Sequence, residues 1–286
     1  MAMKTANIIV LAGQSNAVGV GHAKYLPEHF GEEKTAEYRR GYEKVKINFY
    51  SHNFKSNGFV PVKLGQAEKG RDTFGPEVGI AEYFAENHPG EELFIVKCAF
   101  GGMSLFQDFL SPSGGENYDP GAYADQYENI LRAFSEGKPI RAGWCYNELV
   151  KIVRESISIL TAEGYEPKIK GFCWMQGESD GDAMWCTEPY GQRYHALLSD
   201  FKAEFGPWIE NTVFADGGIS PKWGCWQQMN AIKEEYARTH ENCVYIDTNA
   251  QGIVTSKEPH GNVDVYHYDS DCVIKLGRLF AEAVGL

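Results

Sequence analysis

The 286-residue sequence contains no Cys-x-x-Cys pair and no His-Glu-x-x-His run, so neither a zinc ribbon nor a zinc-protease site has support. Its seven cysteines are odd in number and scattered, and Cys98 and Cys173 lie inside apolar runs, where a reduced thiol behaves as a small hydrophobe. That usage predicts a reducing, cytoplasmic setting. No run of Lys and Arg offsets a formal charge of −12, which argues against nucleic acid and anionic membrane as partners. The acidic excess itself is read as a solubility feature. Hydrophobic runs long enough to span a bilayer are missing, and Ile8-Ile9-Val10-Leu11 is too short for the core of a signal peptide. Repeats, low-complexity tracts and Pro/Ser linkers are also missing, so one domain over residues 1–286 is the simplest organisation.

What is present is an alternation of short apolar runs with longer amphipathic ones. Residues 6–11, 45–50, 93–99, 169–175 and 212–216 read as strands, several apolar on both faces as parallel strands covered on two sides are. Val244-Tyr245-Ile246 is a candidate edge strand. Helices are expected at 75–87, 142–163, 188–205, 225–240 and 270–284. Within 142–163 the residues Leu149, Ile152, Val153, Ile157 and Leu160 recur at spacings of three and four. Ser270 or Asp271 is the expected cap of the last helix. This rhythm predicts a three-layer α/β/α sandwich. Two stretches interrupt it, 16–44 and 106–140; both are polar, rich in Gly and Tyr, and are expected to build substrate walls.

Of four motifs, three sit where strands end and one just before the last helix, and in open parallel sheets strand carboxyl ends face the binding crevice. Gly13-Gln14-Ser15-Asn16 offers a serine nucleophile, although alone it reads equally as a turn. Asp264-Val265-Tyr266-His267 spaces a carboxylate so that it can fold back onto the imidazole Nδ1, leaving Nε2 to take a serine proton; alone it is also an ordinary Asp/His-rich loop. Gly102, in Gly101-Gly102-Met103-Ser104, can present a bare backbone N–H. Gln176, in Trp174-Met175-Gln176-Gly177-Glu178-Ser179-Asp180, can aim an amide at the same point.

In that order the four motifs resemble the SGNH hydrolases, and within them the sialate O-acetylesterase-like domains and carbohydrate esterase family six. Phe74-Gly75-Pro76-Glu77 matches a further element common in that group. The resemblance runs from residue 13 to 267. It implies a five-stranded parallel sheet in flavodoxin-like order with helices on both faces. It implies Ser15 as nucleophile, His267 as base, Asp264 as its orienting partner, and an oxyanion hole from the Ser15 and Gly102 N–H groups and the Gln176 amide. Tyr266 departs from the group, which usually carries a smaller residue before the histidine. Glu178 and Asp180 are expected to brace their turn, and Gln14, Asn16, Arg71 and Glu178 are the candidates for substrate contact. For Arg71 with Asp72, a solvated charge pair is the simpler reading.

Gly177-Glu178-Ser179-Asp180-Gly181 also fits the nucleophile elbow of α/β-hydrolases. An elbow turns directly from strand into helix, whereas no helical pattern begins here before about residue 188. The activity that the resemblance implies is hydrolysis of acetyl esters on a carbohydrate, xylan fragments or O-acetyl sialic acid, and the mechanism calls for no metal or organic cofactor. A lipase or thioesterase on the same scaffold and a non-catalytic carbohydrate-binding protein are the competing readings. The oligomeric state is not legible.

Overall fold

Strand β1 (Lys4–Gly13) runs through the centre of the sheet because its residues from Ile8 to Ala12 are apolar and wholly buried. It is flanked in parallel by β3 (Leu93–Ala99) on one side and β4 (Tyr165–Met175) on the other. Beyond β3 lies β2 (Tyr42–Ser51), and beyond β4 lie β5 (Ile209–Gly217) and β6 (Cys243–Ile246), all parallel. The five strands β3-β1-β4-β5-β6 reproduce the flavodoxin-like order, with the reversal of direction at β1. The sheet is wider than the five strands implied by the resemblance. Among the described residues it has eight, because β2 extends the parallel edge and the short segments Phe54–Lys55 and Val60–Val62 fold back on it antiparallel. The computed structural model describes residues 3–51, 54–115, 142–255 and 257–286.

Period-two alternation on β4 sorts the helices into layers. Gly171 faces Val284 so closely that a Cβ there would lie 2.7 Å from it, whereas Phe172 faces Phe201 at a ring separation of 4.9 Å. Val284 follows α7 (Ser270–Ala283); Phe201 belongs to α5 (Tyr190–Phe205). On the α7 side lie α2 (Leu26–Arg40) and α3 (Glu77–Asn87), tied together through Glu82, which meets Lys34 at 2.8 Å and Arg278 at 2.8 Å. On the α5 side lie α4 (Trp144–Ala162), joined by Arg154 to Glu204, and α6 (Trp226–Thr239), whose Tyr236 meets His195 at 3.3 Å.

Three expectations need correction. The stretch 16–44 is not an irregular wall: it contains α2, whose sparse buried face, Leu26, Thr35 and Tyr38, leaves no apolar stripe to read. Helix α7 is not capped by the side chain of Ser270 or Asp271; Glu258 reaches across from the preceding loop and accepts the Ser270 N–H at 2.9 Å. The start of the 106–140 stretch is interior, with Phe106, Phe109 and Leu110 buried, while 116–140 lies outside the described residues.

Candidate active site

The three central strands end level with one another. Gly13 pairs with Ala99 on one side and with Met175 on the other, so the chain after each strand leaves the sheet at the same height. Gln14 N–H donates to Met175 O at 2.9 Å and Phe100 N–H to Gly13 O at 3.1 Å, which locks the three exits together. Only glycine serves at position 13: its φ is +142°, and a Cβ would stand 1.9 Å from Met175 O. Ser15 follows at the start of the short helix α1 (Ser15–Val18) and is partly exposed. Gly101 adjoins it, since a Cβ there would lie 3.9 Å from that of Ser15. Gly102 turns with φ +73° and has open space on its Cβ side. Among the described residues, neither the Ser15 nor the Gly102 N–H has a backbone acceptor.

His267 Nδ1 lies 2.6 Å from Asp264 Oδ2. A carboxylate only accepts, so Nδ1 carries the proton and the neutral ring presents the Nε2 lone pair. The other oxygen, Oδ1, accepts the Tyr266 N–H at 3.0 Å, closing the turn that a three-residue spacing allows. Partial burial pushes the Asp264 carboxyl up, but the hydrogen bonds from His267 and Tyr266, with the attraction of the imidazole when it is protonated, outweigh it and hold it below its ordinary value. Asn16 joins this turn to the serine helix. Its Oδ1 accepts the Tyr268 N–H at 3.2 Å, and its Nδ2 lies 3.5 Å from Tyr266 O. The same Nδ2 donates to Glu178 Oε1 at 2.7 Å, so one side chain connects three of the four motifs.

Gln176 is fully buried, and its orientation is set by a relay in which Trp174 Nε1 donates to the Tyr190 hydroxyl and that hydroxyl donates to Gln176 Oε1, each at 3.0 Å. Its Nε2 then faces Asp180 Oδ2 at 2.6 Å, with Gln14 Oε1 and Met103 O each at 3.2 Å. Both amide hydrogens have acceptors in the protein, and donation to a substrate requires exchanging one of them. Asp180 also accepts the N–H groups of Leu105 and Phe106, each at 2.8 Å, and burial raises its carboxyl to about 6 against those bonds. Burial likewise raises Glu178, with the Asn16 bond opposing.

Gln14, Asn16 and Glu178 are 2%, 2% and 1% exposed, so they offer a ligand almost no surface and act as internal ties instead of the substrate contacts expected of them. Gln14 Oε1 accepts the Ser179 N–H at 3.1 Å. Arg71 turns to Glu68 at 2.9 Å, and Asp72 meets Arg39 at 3.0 Å; neither is brought to Ser15 by a described contact. Ser179 is followed by the single 3-10 turn Asp180–Asp182, so the strand-to-helix geometry of an elbow is not present.

Two buried ion pairs beneath the motifs escaped the reading of the sequence. Lys97 meets Glu77 at 2.7 Å and donates to Val18 O at 2.6 Å, pinning the end of α1; Glu77 in turn accepts the Gly75 N–H at 2.9 Å. Lys233 meets Asp216 at 2.7 Å and donates to Gln176 O and, at 2.8 Å, to Gly217 O. A lysine inside the wholly buried run Leu93–Ala99 was the available signal for the first. Among the described residues, no group of three His, Cys, Asp or Glu side chains is arranged to hold a metal ion, and no helix is long and apolar enough to cross a membrane.

Solved structures share the fold. NanS superposes with a TM-score of 0.65 at 16% identity, over 99% of this chain and 98% of its own. A protein of Arabidopsis thaliana gives 0.61 at 17% identity, over 98% of each chain. XAC1771, a carbohydrate acetylesterase from Xanthomonas citri, gives 0.58 at 14% identity, over 97% of this chain and 55% of its own. No curated protein sequence matches. The profile of the SASA family, described as carbohydrate esterase, sialic acid-specific acetylesterase, matches residues 5–285, nearly the whole chain. This chain belongs to that family of carbohydrate acetylesterases and is a carboxylic ester hydrolase.

Proposed function

We propose that the chain removes O-acetyl groups from carbohydrates in two steps through an acetyl-Ser15 intermediate. Ser15 Oγ attacks the acetyl carbonyl while His267 Nε2 takes its proton, and Asp264 holds the imidazolium that forms. The oxyanion rests on the Ser15 and Gly102 N–H groups, and Gln176 joins them by releasing Met103 O. Collapse of the intermediate breaks the bond to the sugar oxygen, which leaves as an alcohol with the proton from His267. Water, deprotonated by the same nitrogen, then attacks the acetyl carbonyl; the bond to Ser15 Oγ breaks, acetate leaves, and Oγ takes the proton back from His267.

The observation that carries this reading is the Asn16 side chain, which binds on both sides of His267 from the position next to Ser15. It supports a histidine that enters the crevice at the serine. Acetylated xylo-oligosaccharides and O-acetyl sialic acids are the substrates proposed. Acetate release from 4-nitrophenyl acetate and from both sugar classes is measured for wild type, Ser15→Ala and Ser179→Ala. Loss of turnover in Ser15→Ala with retention in Ser179→Ala is expected; the reverse pattern overturns the mechanism.

A further inference from the structure

Six large apolar side chains are exposed among the described residues: Met3, Phe30, Met184, Val254, Val263 and Tyr266. Val263 and Tyr266 flank or lie within the Asp264–His267 turn, and Met184 follows the turn that carries Glu178 and Asp180. Half of these exposed apolar side chains thus lie in or beside the loops that carry the site. Tyr266 is the most exposed of these three, at 51%, although its backbone is tied on both sides: its N–H donates to Asp264, and its carbonyl faces Asn16.

Its ring has one described aromatic partner, Trp223, at a centroid separation of 5.3 Å and an interplanar angle of 46°. Trp223 lies in the loop after β5, at the same carboxyl-end rim. That loop is docked on the motif turn, since Cys225 N–H donates to Gly181 O at 2.8 Å. The ring contact therefore links the turn carrying His267 to a loop whose backbone rests on Gly181, and the backbone at both rings is tied, Tyr266 to Asp264 and Trp223 O to the Trp226 N–H at 3.2 Å.

We propose that Tyr266, backed by Trp223, is the stacking platform for the pyranose ring whose acetyl group is removed. This rests on the carbohydrate esterase reading above. In that reaction the leaving sugar oxygen receives its proton from His267, so the ring bearing that oxygen lies within reach of the residue next to His267. An aromatic face is electron-rich and readily desolvated, and the axial C–H groups of a pyranose are the polarised, weakly hydrated part of the sugar that complements it. The hydroxyls remain free for solvent and for the polar rim. A smaller residue at position 266 would leave the ring no such surface, so the platform is a specificity device of this chain.

The test is the ratio of kcat/KM for acetylated xylose and O-acetyl sialic acid to kcat/KM for ethyl acetate, which carries the ester but no ring. An aromatic contact worth up to about 1.4 kcal/mol corresponds to about tenfold, so Tyr266→Ala is expected to lower the ratio by about that factor, mainly through KM. Tyr266→Phe, which keeps the ring, is expected to stay within about twofold, and Trp223→Ala to fall between them. An unchanged ratio in Tyr266→Ala overturns the platform, as does a Tyr266→Phe loss equal to that of alanine. If wild type cleaves ethyl acetate and no sugar ester, the carbohydrate reading fails first, a result visible without any variant.

Discussion

Asn16 Oδ1 accepts the backbone N–H of Tyr268 at 3.2 Å, across 252 residues of sequence. The residue after Ser15 thereby holds the residue after His267, and the serine and the histidine are positioned by a contact that neither of them makes.

Asn16→Ala removes that bond and the donor to Glu178, leaving a buried carboxyl whose other oxygen, Oε2, already has no partner among the described residues. The expected result is a fall in kcat of about 10²-fold with a smaller change in KM, the scale of a roughly 1 Å misplacement of a catalytic group. Steady-state kinetics on 4-nitrophenyl acetate checks it. Wild-type kcat in a correctly folded Asn16→Ala protein would remove Asn16 from the positioning argument.

Asp264→Asn keeps the shape of the turn and an acceptor for Tyr266, but it replaces a charged partner of the imidazolium with a neutral one. A loss in kcat of about 10²–10⁴-fold is expected, since orientation, tautomer and charge stabilisation all depend on that carboxylate. Activity within a factor of a few of wild type would mean that another group orients His267.

The strands that build the floor of the site were legible because burial on both faces leaves only apolar residues, as in Ile95-Val96 and Phe172-Cys173. Three of the four motifs were legible because each follows such a strand; Asp264–His267 lies in the loop before α7 and was legible from its spacing alone. Helix α2 was not, because an element that meets the protein through Leu26, Thr35 and Tyr38 alone keeps a nearly polar sequence. Nor was the direction of Gln14, Asn16 and Gln176. A polar residue beside a nucleophile reads as a ligand contact, and only the relay from Trp174 through Tyr190 shows that Gln176 is held from inside. Long-range polar ties carry no periodicity, so Glu258 at the start of α7 left no trace in the pattern.

The Lys97–Glu77 pair is wholly buried, and burial pulls the Lys97 ammonium below its ordinary pKa while the adjacent carboxylate opposes that. Removing one partner leaves an isolated buried charge, so Lys97→Met is expected to cost about 3–5 kcal/mol. Lys97→Met combined with Glu77→Gln restores neutrality and still offers an acceptor to the Gly75 N–H. The double variant is expected to be more stable than Lys97→Met alone by about 1 kcal/mol or more. Urea midpoints at constant slope decide this; additive losses would show that the two groups are not coupled.

Asp180 gives the protein a pH dependence of definite sign. Its carboxyl ionises at about 6 in the fold against an ordinary value of 3.8, because burial outweighs its hydrogen bonds from Gln176, Leu105 and Phe106. Above about 6 it is ionised folded or unfolded, and the fold bears the full cost of the buried charge. As pH falls from there towards 4, the folded chain takes up a proton that the unfolded chain does not, so this residue's contribution to stability rises, and it is lost again as pH rises through 6. Other carboxylates titrate in the same range, and comparison with Asp180→Asn removes them. Between pH 7 and pH 5 wild type is expected to gain on the order of 1 kcal/mol relative to Asp180→Asn. Parallel stability curves for the two proteins would mean that Asp180 stays ionised throughout, with its three donors outweighing burial.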